Sequence, residues 1–281
     1  MNRIVWLASY PKSGNTWFRV FLANLRKDGE RPVDINELDM PNFASRREVD
    51  RRLGWETSEL SDEEFEATRL DLRDLIATDT DAVLKIHEAY RNPKSGQILF
   101  SRNATRAVLY FIRNPLDVAI SFSHHLGCTV DQAITKMATQ TMVLAPSRKR
   151  PDPQLFQPLN TWSQHVLGWL DESGFPVHAI RYEDMLQKPQ ETFTKACAFA
   201  GFPTDPDRIH RALEHSRFEN LRKQESQAGF RESLQKRPFF RKGQAGGWRE
   251  VLSAEQVDAI VRSHREEMHR FGYLNPDGSP A

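Results

Sequence analysis

Tyr10-Pro11-Lys12-Ser13-Gly14-Asn15-Thr16-Trp17 is a segment suited to holding an anion. It lies between an apolar run from Ile4 to Tyr10 and a stretch where Trp17, Phe18, Phe21, Leu22 and Leu25 recur at helical spacing. A strand–loop–helix junction aims backbone N–H groups at one point, and the helix dipole adds positive potential there. Gly14 permits close backbone approach, Lys12 adds a full charge, and Ser13, Asn15 and Thr16 add donors. The segment departs from the triphosphate loop GxxxxGK[ST], because its lysine precedes the glycine and the first glycine is missing. Read alone, it is equally an ordinary strand–helix turn with a surface lysine.

Three further groups could do chemistry. Lys85-Ile86-His87 ends a strand-like run, and side chains two apart on a strand share a face. An imidazole there can take a proton near neutral pH, with a cation beside it. Arg113-Asn114-Pro115, with Ser121 downstream, makes a second strand–helix junction. Its arginine suits bidentate phosphate contact. Arg241-Lys242-Gly243-Gln244-Ala245-Gly246-Gly247-Trp248 is a cationic glycine-rich loop, a type that wraps phosphates with backbone N–H groups. Each also has a plain reading: a structural histidine, a salt bridge, a surface loop. His124, His125 and Cys128 have permissive helical spacing, but no fourth ligand is visible, so no metal site is expected.

The elements that must position these residues alternate. Strands are expected over Ile4–Tyr10, Ala82–His87, Ala107–Arg113 and Pro176–Tyr182. Asn114 and Pro115 start a helix to about Leu126, and helices are expected near 161–172, with Trp162 and Trp169 on its packing face, and near 190–200, closed by Gly201. Capping boxes open an acidic helix at Ser61, to about Ile76, and a C-terminal helix at Ser253, to about Phe271. This alternation predicts an α/β fold with a mainly parallel sheet. Ligands then gather beyond the carboxyl ends of the strands, where Lys12, His87, Arg113 and Tyr182 stand. The stretches 28–80 and 127–160 are the least regular, and the basic run Ser147–Arg150 reads as a solvated loop.

Composition sets the limits. The chain has 281 residues, with 39 Lys+Arg against 38 Asp+Glu, so bulk charge drives it toward neither nucleic acid nor an anionic membrane. The distant Cys128 and Cys197 form no CxxC motif. Tyr10-Pro11-Lys12 interrupts the first apolar run before a signal core forms, and no run is long enough to span a bilayer. A cytoplasmic location is expected.

Together and in order, YPKSGNTW, KIH, RNPLDVAISFSHH and RKGQAGGW resemble the motifs of the cytosolic-type sulfotransferases that use 3′-phosphoadenosine 5′-phosphosulfate (PAPS). That family reads approximately YPKSGTTW, KTH, RNPxDxxxSxxxH and RKGxxGxW. The resemblance runs from Ile4 to about Trp248, and the stretch WLASYPKSGNTW is similar to bacterial members that sulfate glycopeptide antibiotics.

The resemblance implies a P-loop-NTPase-like three-layer fold, one domain over 1–281, with mobile lid or acceptor-binding segments near 28–80 and 127–160. It implies Lys12 on the 5′-phosphosulfate, with Ser13, Gly14, Asn15 and Thr16 completing that loop and Trp17 on adenine. His87 becomes the catalytic base, with Lys85 its neighbouring lysine. Arg113 and Ser121 become ligands of the 3′-phosphate, over which Arg241, Lys242 and Gly243 close. Tyr182, Ser216 and Phe218 fall near the nucleotide. The product is adenosine 3′,5′-bisphosphate (PAP), the acceptor a small molecule, and no metal is needed. Asn15, Ile86, Ser216 and Gly247 depart from the family residues. The dimer motif KxxxTVxxxE of animal members is absent, which leaves the oligomeric state open. Phe43, Trp55, Phe122 and Phe156 are candidates for an apolar acceptor pocket. A nucleotide-triphosphate kinase and a non-catalytic nucleotide-binding protein are the alternatives.

Overall fold

The computed structural model describes residues 4–40, 42–57, 60–76, 82–144, 155–233 and 238–281. The basic run at 147–150 lies outside them. A mainly parallel four-stranded sheet has the order β2-β1-β3-β6, with β1 Ile4–Ser9, β2 Val83–Ile86, β3 Thr105–Ile112 and β6 Val177–Arg181. β1 and β2 run parallel, with Val5 opposite Val83 and Ala8 opposite Ile86. Every residue of β1 and β2 is buried, the polar Ser9 and Lys85 included. Between β3 and β6 come two-residue strands, β4 Val143–Leu144 and β5 Gln157–Pro158, paired antiparallel within the stretch that had no regular pattern.

The chain divides into two compact units. The first comprises Met1–Tyr10, Met40–Tyr110 and Thr139–Ala179. Its core gathers on Trp6, whose ring meets Phe43 at 5.4 Å and Phe100 at 5.1 Å edge-on. The indole N–H donates to Thr105 Oγ1 at 3.0 Å. Helices α2 (Arg46–Leu53) and α3 (Asp62–Ile76) occupy part of the 28–80 stretch, and the capping box at Ser61 forms as expected. The helix anticipated near 161–172 is an α-turn segment, α6 (Trp162–Leu167), that widens into a π-helix over Gly168–Glu172. At Gly168 a Cβ would lie 3.4 Å from Tyr90 Cβ, so glycine lets this helix pack close.

The second unit comprises Pro11–Asp39, Phe111–Ala138 and Ile180–Ala281. Its core includes a cluster of Phe18, Phe21, Phe111 and Phe193, with ring centroids 4.5–5.6 Å apart. Its helices are α1 (Asn15–Lys27), α4 (Pro115–Leu126), α5 (Val130–Met137), α7 (Tyr182–Gln187), α8 (Pro189–Ala200), α9 (Pro206–His215), α10 (Phe218–Ala228) and α11 (Ala254–Arg270). Asn114 caps α4 by accepting from Leu116 N, and Gly201 ends α8 in the left-handed conformation. A one-turn 3-10 helix, Gly247–Glu250, follows the glycine-rich loop. Burial raises the Cys197 thiol to about 12, in keeping with a packing role. Among the described residues, no helix is long and apolar enough to cross a membrane, and no cluster of His, Cys, Asp or Glu is placed to hold a metal.

Candidate functional site

In the second unit, the loop between β1 and α1 turns on two left-handed residues, Lys12 (φ 71°) and Gly14 (φ 99°). Left-handed geometry is unfavourable for a lysine, and such strain is held in place by surrounding contacts. Here the Lys12 carbonyl accepts Arg113 Nη1 at 3.3 Å, and its ammonium lies 3.6 Å from the Phe239 ring centroid. At Gly14 a Cβ would meet Tyr182 Cδ2 at 2.7 Å, so any side chain there would have to displace the tyrosine ring. Gly14 also caps the start of α1, whose first turn contains no acidic side chain, so the positive end of the helix is not neutralised there. Ser13, Asn15 and Thr16 are buried around this end.

Arg113 leaves β3 into the same region. Its guanidinium lies over the Tyr182 ring at 4.2 Å, and Nη2 donates to Gln244 O at 2.9 Å in the glycine-rich loop. Asn114, which follows, gives its N–H to Glu183 Oε1 at 3.0 Å, and Tyr273 O–H donates to Glu183 Oε2 at 3.0 Å. Burial holds the Glu183 carboxyl above its ordinary range. Arg241 sits below the ordinary guanidinium value, first because partial burial penalises its charge and then because Arg113 repels it.

The remaining predicted contacts of this unit divide. Trp17 Nε1 donates to the Ser216 carbonyl at 3.0 Å, and its ring stands edge-on to Tyr182 and Phe193. The Ser216 hydroxyl turns back to Ala212 O at 2.9 Å, so it is the backbone of Ser216, not its side chain, that meets Trp17. Phe218 packs against Gly243 (φ 61°), where a Cβ would come within 2.6 Å of the ring. Ser121 lies one helical turn beyond Asp117 on α4. Lys242 is exposed, with Nζ 3.9 Å from Glu250, and is not gathered with the arginines.

His87 and Lys85 belong to the first unit. β2 ends at Ile86, one residue short of the expected boundary, because side chains take the next carbonyls. His165 Nε2 donates to His87 O at 3.0 Å, and Trp169 Nε1 donates to Glu88 O at 2.9 Å. His87 Nδ1 lies 2.9 Å from Ser9 O and 3.2 Å from Ser9 Oγ. A carbonyl only accepts, so Nδ1 carries the proton, and neutral His87 has its lone pair on Nε2. The same logic gives His165 a proton on Nε2 and makes Nδ1 the acceptor for Tyr110 O–H at 2.7 Å. Burial lowers His165 to about 4. Lys85 is buried, and its carbonyl accepts Phe43 N at 3.0 Å.

Glu88, the neighbour of His87, is buried and receives Arg69 Nη1 at 2.6 Å and Arg73 Nη2 at 2.5 Å. Both arginines come from α3, in the stretch anticipated as a mobile lid or acceptor-binding segment. Nothing in the spacing of Arg69, Arg73 and Glu88 announces this pairing. Of the apolar acceptor candidates, Phe43 and Phe122 are core residues, Phe156 is half-buried, and Trp55 is exposed.

A family model described as "Sulfotransferase domain" matches residues 2–272. An amine sulfotransferase of Oryctolagus cuniculus is 24% identical over 278 residues, spanning 95% of this chain and 81% of that protein. A flavonol 3-sulfotransferase of Flaveria bidentis is 24% identical over 289 aligned residues, spanning 96% and 83%. A crystal structure of a mouse sulfotransferase complexed with PAP shares the fold, with a TM-score of 0.59 and 18% identity over 98% of this chain and 86% of that one.

Proposed function

Since the chain belongs to the sulfotransferase domain family, we propose that it moves a sulfuryl group from PAPS to a hydroxyl or nitrogen of a small-molecule acceptor and releases PAP. The observation that carries the reading is that Arg113 donates both to the Lys12 carbonyl in the loop before α1 and to the Gln244 carbonyl in the loop that carries Arg241. PAPS bears two separated anionic groups, and two cationic features serve them. The Lys12 loop at the start of α1 suits the 5′-phosphosulfate, and Arg113 with Arg241 suits the 3′-phosphate.

The polar atoms fit such a ligand. Ser13 is 1% exposed, and its Oγ has no hydrogen-bond partner among the described residues. Arg113 Nε is likewise buried without one. Buried donors of this kind carry a cost unless a ligand satisfies them. Ser13, Gly14, Asn15 and Thr16 would hold the phosphosulfate end, Trp17, Phe218 and Tyr182 the nucleoside, and Ser121 and Gly243 would join the arginines at the 3′-phosphate.

PAPS supplies the sulfuryl group and a phosphate leaving group. His87 Nε2 takes the proton of the acceptor O–H or N–H as that atom bonds to sulfur. The bond from sulfur to the phosphate oxygen breaks, and the oxygen keeps the electron pair. Lys12 and Lys85 stabilise charge on the leaving phosphate and the transferring group. The Nδ1–H bond to Ser9 O persists in the imidazolium, so the ring need not turn during the proton transfer. A cytoplasmic bacterial enzyme of secondary metabolism is our reading of its setting, from the motif likeness.

The test is transfer of labelled sulfate from PAPS to a panel of phenols, flavonols, alcohols and amines, together with PAP binding by calorimetry. Saturable PAP binding and a sulfated product are expected. No PAP binding at millimolar concentration overturns the proposal, and magnesium-dependent ATP turnover in its place would establish the kinase alternative.

A further inference from the structure

Asp117 stands in the RNPLDVAIS motif between Arg113 and Ser121. It is 5% exposed, on the first turn of α4. Its carboxylate receives two backbone donors from the glycine-rich loop, Gly246 N at 2.7 Å on Oδ2 and Trp248 N at 3.1 Å on Oδ1. The bond to Gly246 reaches across 129 positions of sequence. Gly246 is left-handed at φ 81°, which turns the chain so that both N–H groups face one carboxylate. Arg113 Nη2 stays 4.0 Å from Asp117 Oδ2, beyond the 2.7–2.9 Å of a charge-assisted hydrogen bond. It donates instead to Gln244 O in the same loop.

Resting on the nucleotide reading above, we propose that Asp117 is a positioning residue for the 3′-phosphate pocket. It ties the loop that carries Arg241 and Gly243 to the helix that carries Ser121 and follows Arg113. A carboxylate beside a phosphate site is ordinarily repulsive. Here the carboxylate is spent on amide donors, and Arg113 keeps its buried Nε without a hydrogen-bond partner among the described residues. The loop closes through fixed N–H groups, and the 3′-phosphate finds both arginines already placed.

The competing role is purely structural, because an aspartate on the first turn also stabilises α4 through the helix dipole. PAP and AMP separate the two, since they differ only in the 3′-phosphate and share the 5′-phosphate end. In Asp117→Asn, an amide N–H faces a backbone N–H and one bond is lost. PAP affinity should fall about tenfold, the size of one charge-assisted hydrogen bond, while AMP affinity stays within twofold. The PAPS KM should rise with kcat at saturation little changed. If Asp117→Asn does not fold, Gly246→Ala strains the same loop from its other side and should show the same selective loss. Equal losses for PAP and AMP, or no loss for either, overturn the proposal. If the wild-type protein binds PAP no better than AMP, the nucleotide reading itself fails.

Discussion

The two units hold their candidate chemistry in opposite ways. In the first, neutral hydrogen bonds hold His87: Ser9 O holds its ring, and His165, itself bonded to Tyr110, holds its carbonyl. The charges nearby, Arg69, Arg73 and Glu88, pair with one another. In the second unit, Arg113 donates to the carbonyls of Lys12 and Gln244, while Ser13 Oγ and Arg113 Nε are buried without hydrogen-bond partners among the described residues. The first arrangement fixes a tautomer and a direction. The second stores positive charge and donors that an anion would satisfy. A proton acceptor works best when its geometry is settled before substrate arrives, and an anion site works best when its donors are not already spent.

The contrast can be broken most severely at His87. His87→Ala should lower kcat by about 10²–10⁴-fold, the range for loss of a general base. PAP affinity, measured by calorimetry, should stay unchanged, because its proposed ligands lie in the other unit. A parallel loss of PAP binding would show that the two units do not divide the work.

A smaller and sharper effect concerns His165. Its folded value is about 4 against an unperturbed 6.5, so the unfolded chain takes up a proton first on acidification. The stability this group contributes is complete above pH 6.5 and is lost as pH falls toward 4, by about 3 kcal/mol. Denaturant titrations of His165→Leu across that window should show an acid loss smaller by this amount than the wild type, beside a lower stability at pH 7.5. Identical acid profiles in both proteins would mean that His165 is not held neutral.

The smallest effect is expected at Lys242. Its ammonium is exposed and 3.9 Å from Glu250, an arrangement in which charge counts for little. Lys242→Ala should weaken PAP binding two- to threefold, and added salt should shrink even that difference. A loss of a hundredfold would mean that the loop closes further around the nucleotide than the structure shows.

Much of this was legible in the sequence where the responsible residues are neighbours along the chain. Ser61 and Ser253 marked their capping boxes, Asn114-Pro115 marked the start of α4, and Gly201 the end of α8. The element boundaries were less legible. β2 stops at Ile86 because His165 and Trp169, each about 80 positions away, take the following carbonyls. The helix after Thr161 widens into a π-helix from Gly168, and no periodicity encodes that.

By itself, the sequence determined the kind of chemistry. An anion cradle, a strand-end histidine, an arginine junction and a cationic glycine loop are local assemblies, set by residue type, chain order and the backbone geometry that follows from them. Tertiary structure alone decided which of these groups are held, and by what. It turned Lys242 outward, folded the Ser216 hydroxyl onto its own helix, and gave Glu88 to two arginines of α3. It brought Asp117 to Gly246 and Trp248. The Glu88 and Asp117 contacts join residues distant along the chain, made by packing and by the need to satisfy buried polar groups, and spacing carries no record of them.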